Sequence, residues 1–311
     1  MAEPREDKLL LLDTPSLYFR AFYGVPDSIK APDGTPVNAV RGLLDFIARL
    51  VTDRSPTHLV AAMDWDWRPA FRVDAIPSYK AHRVAVGDQE DVPDPLVPQV
   101  AIIEDVLGAL GVPVIGATGY EADDVIGTIA TRASMPVDVV TGDRDLFQLV
   151  DDLRRVRVLY TARGVGRHEI VDEAAVTARY GIPGQAYADF ATLRGDPSDG
   201  LPGVAGIGEK TAAALVTKYG SLAALVTALD AGDTGMPAGA RTKLAAAKEY
   251  LAVAPAVVAV SRDVDLPAFE SRIRPQPADS ERLLELSDRW GLASSLNRVL
   301  VAFRTAQENA E

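Results

Sequence analysis

Short apolar runs that end at an acidic residue recur along this chain. They are residues 9–12 before Asp13, residues 59–63 before Asp64 and residues 137–142 before Asp143. Because parallel strands are buried on both faces, such runs predict the strands of an open α/β sheet. Ligands of these sheets collect outside the carboxyl ends of the strands, so we expect the three acids to converge on one crevice.

The rest of the hydrophobic pattern separates a mixed region from a helical one. The signals are, in order, a strand at 112–115, a helix through Val125, Ile126, Ile129 and Ala130, a hairpin at 155–171 with its turn at 163–166, a mostly helical stretch from about 182 to 252, and helices at 279–290 and 293–303. This order predicts an α/β domain over residues 1–181 and a helical region over residues 182–311.

Nine carboxylates occupy positions from which this fold can bring them together. They are Asp13, Asp64, Glu121, Asp123, Asp124, Asp143, Asp145, Asp196 and Asp199. Taken singly, an acid at a strand end or helix start is most often a cap or a turn residue. If all nine are close together and unpaired, the carboxylates repel one another and their pKa values rise. Bound divalent cations would remove this repulsion.

The available ligand types favour hard cations. Oxygen ligands suit Mg²⁺ or Mn²⁺, and a chain with no cysteine and three histidines offers little for zinc. Two such ions about 3.5–4 Å apart are the usual arrangement for hydrolysis of a phosphodiester by in-line attack. The acids therefore predict a two-metal phosphodiesterase.

A glycine-rich turn in residues 193–212 adds a phosphate-binding feature. Gly203, Gly206 and Gly208 permit close approach of the backbone, and the helix that opens near Gly208 presents free N–H groups with Lys210 in its first turn. A turn of this kind is by itself an ordinary loop-to-helix connection. Beside Asp196 and Asp199 it predicts that the protein grips a nucleic-acid backbone next to a metal.

Composition is consistent with this hypothesis but does not produce it. A net charge of −12 is unfavourable for binding phosphates, but the nine acids account for much of the excess and the local charge decides. No apolar run reaches membrane-spanning length, and the acidic start lacks the features of a signal peptide. We therefore expect a cytosolic protein that has no contact with a membrane.

Five stretches resemble the 5′-nuclease superfamily, which comprises flap endonucleases, bacteriophage 5′-exonucleases and the 5′-nuclease domain of bacterial type-A DNA polymerases. They follow the order of the family and are residues 9–24, the Asp64 region with 71–83, 119–130, 139–150 and 193–212. The resemblance implies a PIN-like mixed sheet flanked by helices, a helical arch at about 76–98, a helix-three-turn-helix unit at about 185–225 and C-terminal helices that pack back on the catalytic domain.

The resemblance also implies the activity and its cofactors. The expected enzyme is a stand-alone, structure-specific nuclease, a 5′-3′ exonuclease and 5′-flap endonuclease that serves DNA replication and repair, including Okazaki fragment processing. Two or three Mg²⁺ or Mn²⁺ ions are expected, and K⁺ is expected at the carbonyls around Val204 and Ile207. The expected partners are DNA 5′ ends, flaps and nicks, with RNA–DNA junctions as a further substrate, and a monomeric protein.

Roles of individual residues follow from the same resemblance. The ligands of the first metal match Asp13, Asp64, Glu121, Asp123, Asp124 and Asp143, and those of the second match Asp145, Asp196 and Asp199. Lys80 and Arg83 match a basic pair that steadies the scissile phosphate. The expected DNA contacts are Arg20, Tyr23, Tyr79, Gly203, Gly206, Gly208, Lys210 and Thr211. Phe19 and Phe22 are assigned to packing.

The chain departs from the family pattern at three places, and the role of two tryptophans is open. Asp66 is an alternative ligand to Asp64, and we prefer Asp64 because it directly ends the strand. Trp65 and Trp67 are either a lid over the metals or packing against the arch, and Gly200 stands where many relatives carry Asn. Asp88, Glu90 and Asp91 make the crown of the arch acidic, which puts its contact with DNA in doubt.

Two other functions fit parts of the pattern. A DNA-binding protein that has lost catalysis needs no second set of metal ligands, so Asp145, Asp196 and Asp199 argue against it. A ribonuclease of the related fold with four acids lacks the helical extension at residues 182–252. Both alternatives are weaker than the 5′-nuclease.

Overall fold

The computed structural model describes residues 6–85, 87 and 89–309, and the strands in this part of the chain form one sheet. The strands are β1 (Leu9–Asp13), β2 (His58–Ala62), β3 (Val114–Ile115), β4 (Val137–Thr141), β5 (Val156–Tyr160) and β6 (Glu169–Val171). Their order is β3-β2-β1-β4-β5-β6. Neighbouring strands are parallel except β6, which pairs antiparallel with β5. The sheet is therefore mixed, as the sequence predicts.

Helices cover the sheet and form the second half of the chain. They are α1 (Thr14–Gly24), α2 (Asn38–Arg54), α3 (Ala70–Ala75), α4 (Val97–Leu110), α5 (Ala122–Arg132), α6 (Glu173–Tyr180), α7 (Tyr187–Arg194), α8 (Glu209–Tyr219), α9 (Leu222–Asp230), α10 (Ala238–Ala246), α11 (Lys248–Val258), α12 (Ser280–Trp290) and α13 (Ala293–Glu308).

Burial on both faces of the sheet explains why residues 9–12 of β1 are all apolar. Successive side chains of a strand point to opposite faces. Leu9 and Leu11 pack in a core shared with α5, α7, α8 and α11, whereas Leu10 and Leu12 pack in a second core with α1, α2, α4 and α13. Both faces of the sheet are covered, so alternation of polar and apolar residues is lost.

The C-terminal helices return to the first half of the chain. Helix α13 packs along α2, and α12 packs against α4. Asp279 caps α12 by accepting a hydrogen bond from the Arg282 N–H at 2.9 Å. The predicted helix at 293–303 continues to Glu308.

The arch is the main local difference from the sequence prediction. In residues 76–98 the described part contains a short 3₁₀ turn (Ala81–Arg83), a bridge between Val84 and Glu90, and only the beginning of α4. The Ala85 N–H donates a hydrogen bond to the Gln89 carbonyl, which lies on its C-terminal side and is therefore not a helical partner. Pro93 and Pro95 lack the N–H that a continuing helix requires. Asp88, predicted in the acidic crown, lies outside the described residues.

Within the described residues, none of the helices taken singly has the length and apolar character needed to cross a bilayer. The pair α8 and α9 meets both requirements only jointly, with a bend of 82° between them.

Candidate metal-dependent active site

Six of the nine predicted acids line one cavity of about 420 Å³ at the carboxyl end of the sheet. They are Asp13, Asp64, Glu121, Asp123, Asp143 and Asp196. Lys80 and Arg83 line the same cavity, which we call the acidic cavity. The structure thus brings acids from two halves of the chain to one place and sets two cations beside them.

The three strand ends deliver the first acids. Asp13 is the last residue of β1, while Asp64 and Asp143 each follow a strand by two residues. The Asp13 carboxylate accepts a 2.6 Å bond from the Thr141 hydroxyl, and one Asp64 oxygen accepts from the Ala122 N–H at 2.7 Å. Asp66 instead accepts from the Arg68 N–H in a turn and is absent from the cavity lining.

Helix α5 begins with a capping box that positions the next acids. Glu121 is its N-cap, and the Asp124 side chain accepts from the Glu121 N–H at 3.2 Å. Glu121 and Asp123 line the cavity. Acids in the first turn of a helix also interact favourably with the helix dipole. The same residues therefore stabilise α5 and supply carboxylates to the cavity.

Asp124, predicted as a metal ligand, does not line the cavity and is paired with a buried cation. Both of its oxygens accept 2.7 Å bonds from the Arg72 guanidinium, and one also accepts from the Ser261 N–H. Both side chains are almost fully buried. Arg72 also donates to the Val257 carbonyl at 3.0 Å, so this ion pair joins α3, α5 and α11 behind the cavity.

Replacing Arg72 by Ala is expected to destabilise the fold by about 3–5 kcal/mol, because it leaves the Asp124 carboxylate buried without its cation. Urea unfolding measures the loss. Arg49→Ala, which breaks the exposed pair with Asp53, is the matched control and should cost less than about 1 kcal/mol. Equal losses in the two variants would show that the buried pair stabilises the fold no more than an exposed pair does.

The three remaining carboxylates lie around the turn that follows α7. The Asp196 carboxylate caps this turn by accepting from the Ser198 N–H at 2.9 Å. Arg83 donates to Asp199 at 2.8 Å. Asp145 lies beside Asp143, and its N–H donates to the Asp143 carboxylate at 2.8 Å. Asp145 and Asp199 are adjacent to the cavity but are not part of its lining.

Burial and mutual repulsion raise the pKa values of these acids. Burial raises the pKa of Asp13 to about 7, and Asp64 and Asp143 add repulsion. Burial raises the pKa of Glu121 to about 7 although Lys80 and Arg72 oppose it. The pKa of Asp123 lies well above its usual value, again through burial and neighbouring acids. Protons and metal ions therefore compete for the same oxygens.

The donor set fits hard divalent cations. Carboxylate oxygens are the ligands that Mg²⁺ and Mn²⁺ prefer, and one Asp145 oxygen is buried without a hydrogen-bond partner in the described part of the chain. Among the described residues, no three acids already stand close enough to form a complete metal-binding group.

Lys80 and Arg83 each form an ion pair with one of the predicted acids, Glu121 and Asp199 respectively. The Lys80 ammonium lies 2.6 Å from Glu121, which also accepts a 2.7 Å bond from the Tyr79 hydroxyl. Burial lowers the pKa of Lys80, but Glu121 and other neighbours raise it well above its usual value. In this arrangement Lys80 is therefore a protonated cation beside the acids. Tyr79, predicted as a DNA contact, is buried.

The base of the arch is joined to the turn after α7. The Ser78 hydroxyl donates to the Gly200 carbonyl at 2.8 Å, and the Lys80 N–H donates to the Asp199 carbonyl at 2.9 Å. Gly200 has φ +72°, and a Cβ there would lie 2.2 Å from the Ser78 carbonyl oxygen. Glycine at position 200 therefore allows the close contact with Ser78. The sequence alone, where Gly200 replaces the Asn of many relatives, did not show this contact.

The glycine-rich turn has the predicted shape. Gly208 is the N-cap of α8, and Gly203 and Gly206 have φ of +64° and +75°. Gly206, Gly208, Lys210 and Thr211 are exposed, as a phosphate site requires, whereas Gly203 is buried. The turn is thus available to a backbone phosphate at its outer rim.

The carbonyls predicted to hold K⁺ lie inside the same turn. The Val204 carbonyl accepts from the Ile207 N–H at 2.9 Å, and the side chains of Val204 and Ile207 are buried. Lys243 donates to the neighbouring Gly206 carbonyl at 2.8 Å, so a side-chain cation already lies beside this turn.

Helix α1 divides its aromatic residues between core and surface. Phe19 and Phe22 pack against the second core, as predicted. Tyr23 is 72% exposed. Arg20 and Tyr23 line a cavity of about 640 Å³ that shares Ser16 and Phe19 with the acidic cavity.

Arg144 and Tyr160 line the acidic cavity and were not foreseen from the sequence. Trp67 also lines it, which is consistent with the first of its two expected roles, and so does Glu90 of the arch. Trp65 instead lies over Gly116, where a Cβ would be 2.4 Å from its ring. The position of Tyr160 at the end of β5 was the available signal, because it occupies the same edge of the sheet as the acids.

Comparisons with known proteins agree with this geometry. A family model described as 5′-3′ exonuclease, N-terminal resolvase-like domain, matches residues 8–181, and one described as 5′-3′ exonuclease, C-terminal SAM fold, matches residues 182–281. A 5′-3′ exonuclease of Streptomyces coelicolor is 60% identical over 296 residues, covering 94% of this chain and 98% of its own. One of Mycobacterium tuberculosis is 52% identical over 311 residues, covering 96% and 98%.

Among solved structures, the bacteriophage T5 flap endonuclease in a complex with DNA and metal ions has a TM-score of 0.63. It is 16% identical, and the match covers 97% of this chain and 99% of that one.

Proposed function

The chain belongs to the 5′-3′ exonuclease family, and from this premise we propose that it is a 5′-nuclease that cuts DNA at 5′ ends and 5′ flaps by two-metal catalysis. One observation carries the proposal: six of the predicted acids line a single cavity of about 420 Å³ together with Lys80 and Arg83. The acids come from β1, from the segments after β2 and β4, from α5 and from the turn after α7, so the site is complete only when both halves of the chain meet.

We assign the metal ligands to the acids of the cavity and its border. The first group is Asp13, Asp64, Glu121, Asp123 and Asp143, and the second is Asp145, Asp196 and Asp199. Bound Mg²⁺ or Mn²⁺ would supply charge neutralisation at the phosphate and lower the pKa of a water nucleophile. The T5 neighbour, whose complex contains DNA and metal ions, supports metal binding by a protein of this fold.

Lys80 and Arg83 place positive charge beside the acids of the cavity. Both line the cavity, and Lys80 keeps its proton, so it can donate to a phosphate oxygen and stabilise the charge that develops there. To do so the two side chains must exchange their partners, Glu121 and Asp199, for the phosphate. Charge neutralisation of those acids by metal would favour the exchange.

The helical region holds the duplex in this proposal. Exposed N–H groups at the start of α8, with Lys210 and Thr211, suit one backbone phosphate without reading base sequence. Tyr23 and Arg20 line the neighbouring cavity, where the duplex and the flap would diverge.

The finer properties follow from the same assignment. We propose K⁺ at the carbonyls around Val204 and Ile207 in the glycine-rich turn. We also propose RNA–DNA junctions as a second substrate, action as a monomer in the compartment that holds the DNA, and a role in Okazaki fragment processing. These proposals rest on the family and on the glycine-rich turn.

The test is cleavage of an end-labelled 5′-flap duplex with Mg²⁺, Mn²⁺ or EDTA. Asp196→Asn should cut roughly a hundredfold more slowly, since the variant removes a charge facing the metals. Asn caps turns about as well as Asp, so the fold should survive. The exposed Asp265→Asn is the control and should cut normally.

Two results would contradict the proposal. Metal-independent cutting would remove the role of the acids, and DNA binding without any cutting in the wild type would favour a DNA-binding protein that has lost catalysis.

A further inference from the structure

The carboxyl edge of the sheet changes its charge between β4 and β5. Beyond the acidic cavity, a second cavity of about 540 Å³ is lined by four arginines and one acid. We call it the basic cavity, and its charged residues are Arg144, Arg163, Arg167, Arg179 and Glu169. Arg144 and Tyr160 line both cavities, so the two adjoin.

The charges of the basic cavity are not balanced. Glu169 accepts two bonds from Arg179, at 2.7 and 2.8 Å, and this pair is neutral. The guanidiniums of Arg144, Arg163 and Arg167 have no hydrogen bond or ion pair with the residues that the structure describes. Three like charges around one cavity repel, and a bound anion relieves the repulsion. In a chain of net charge −12 this local excess is a specific feature.

The loop that carries two of these arginines is anchored. Its turn is closed by bonds from the Gly164 N–H to the Thr161 carbonyl at 2.7 Å and from the Arg167 N–H to the Gly164 carbonyl at 3.0 Å. Val165 at its centre is buried in the second core. The backbone that carries these side chains is therefore preformed, so little of its entropy is lost when a ligand binds.

We propose that the basic cavity binds the 5′-terminal phosphate of the DNA strand that enters the acidic cavity, which rests on the proposed nuclease function. A terminal phosphate monoester carries a charge of about −1.5 to −2 at neutral pH, more than the single charge of an internal diester. Three free guanidiniums match that dianion, because each offers a planar fork of donors. Tyr160 and Tyr180 also line the cavity, and the half-buried Tyr160 offers an aromatic face to the terminal base.

The location agrees with a strand that spans both cavities. Arg144 follows Asp143 directly and borders both spaces, so a phosphate in the basic cavity lies next to the acids. A cavity of this volume accommodates one nucleotide. The enzyme would thus recognise a phosphorylated 5′ end chemically, in addition to the shape of the junction.

The experiment uses the whole protein and a duplex with a one-nucleotide 5′ flap that ends in either phosphate or hydroxyl. Binding is measured by fluorescence anisotropy in EDTA, which excludes cleavage. Wild type should bind the phosphorylated end roughly tenfold or more tightly, and Arg163→Gln with Arg167→Gln should abolish this preference while leaving affinity for the hydroxyl end unchanged. Arg274→Gln with Arg304→Gln, two exposed arginines elsewhere, is the matched control and should keep the preference.

The other outcomes overturn the inference. Equal weakening for both ends means that the two arginines contact internal diesters, and an unchanged preference means that the basic cavity is not its source. Wild-type protein that cuts both ends equally well with Mg²⁺ would refute the inference while leaving the proposed nuclease intact. Absence of cutting at either end would refute the nuclease itself.

Discussion

Asp143→Asn is expected to lower the rate of flap cleavage about a thousandfold and to weaken metal binding. Asp143 lines the acidic cavity two residues after β4. Metal ions supply several kcal/mol of charge stabilisation in such reactions, and each 1.4 kcal/mol is worth about tenfold in rate. Asn keeps the size of the side chain and can still accept the hydrogen bond from the Asp145 N–H, so the local fold should be retained.

Two measurements separate the metal from the chemistry. Titration with Mn²⁺ by calorimetry gives the affinity, and the labelled flap duplex gives the rate at saturating metal. Asp288→Asn on the exposed side of α12 is the control, and it should match the wild type in both. Unchanged Mn²⁺ affinity in Asp143→Asn would contradict the assignment of this residue as a ligand.

The strands and the convergence of acids could be predicted because they follow from local patterns. Continuous apolar runs such as residues 9–12 indicate burial on both faces, and the carboxyl ends of parallel strands meet at one edge. The hairpin of β5 and β6 was also confirmed, because its turn residues are a local signal. Gly220 ends α8 and Ser221 caps α9, and these residue types are local signals of the same kind.

Long-range partners could not be predicted in this way. Asp124 is one residue from Asp123, but its oxygens are taken by Arg72, which is 52 positions away in the chain. The basic cavity collects Arg144, Arg163 and Arg179 from three separate segments. Such charge pairings depend on how the elements pack, and no spacing in the sequence encodes them. The arch differs because Pro93 and Pro95 outweigh the family pattern.

Lys80→Ala is expected to lower the cleavage rate about a hundredfold to a thousandfold without weakening metal binding. The loss of one donor aimed at developing charge has this size in other enzymes. In the structure the ammonium lies 2.6 Å from Glu121, so its removal takes a competing cation away from a proposed ligand. Metal affinity should therefore be equal to or higher than that of the wild type, in contrast to Asp143→Asn.

The backbone at position 80 calls for a second variant. Lys80 has φ +48°, a left-handed conformation that strains any side chain. Lys80→Met keeps the length of the stem and the same strain as Lys but removes the charge, so it should cut as slowly as Lys80→Ala. The exposed neighbour His82→Ala is the control for disturbance of the 3₁₀ turn. Normal cutting by Lys80→Met would show that shape rather than charge matters, whereas weakened Mn²⁺ binding in Lys80→Ala would place Lys80 in support of the metals rather than at the phosphate.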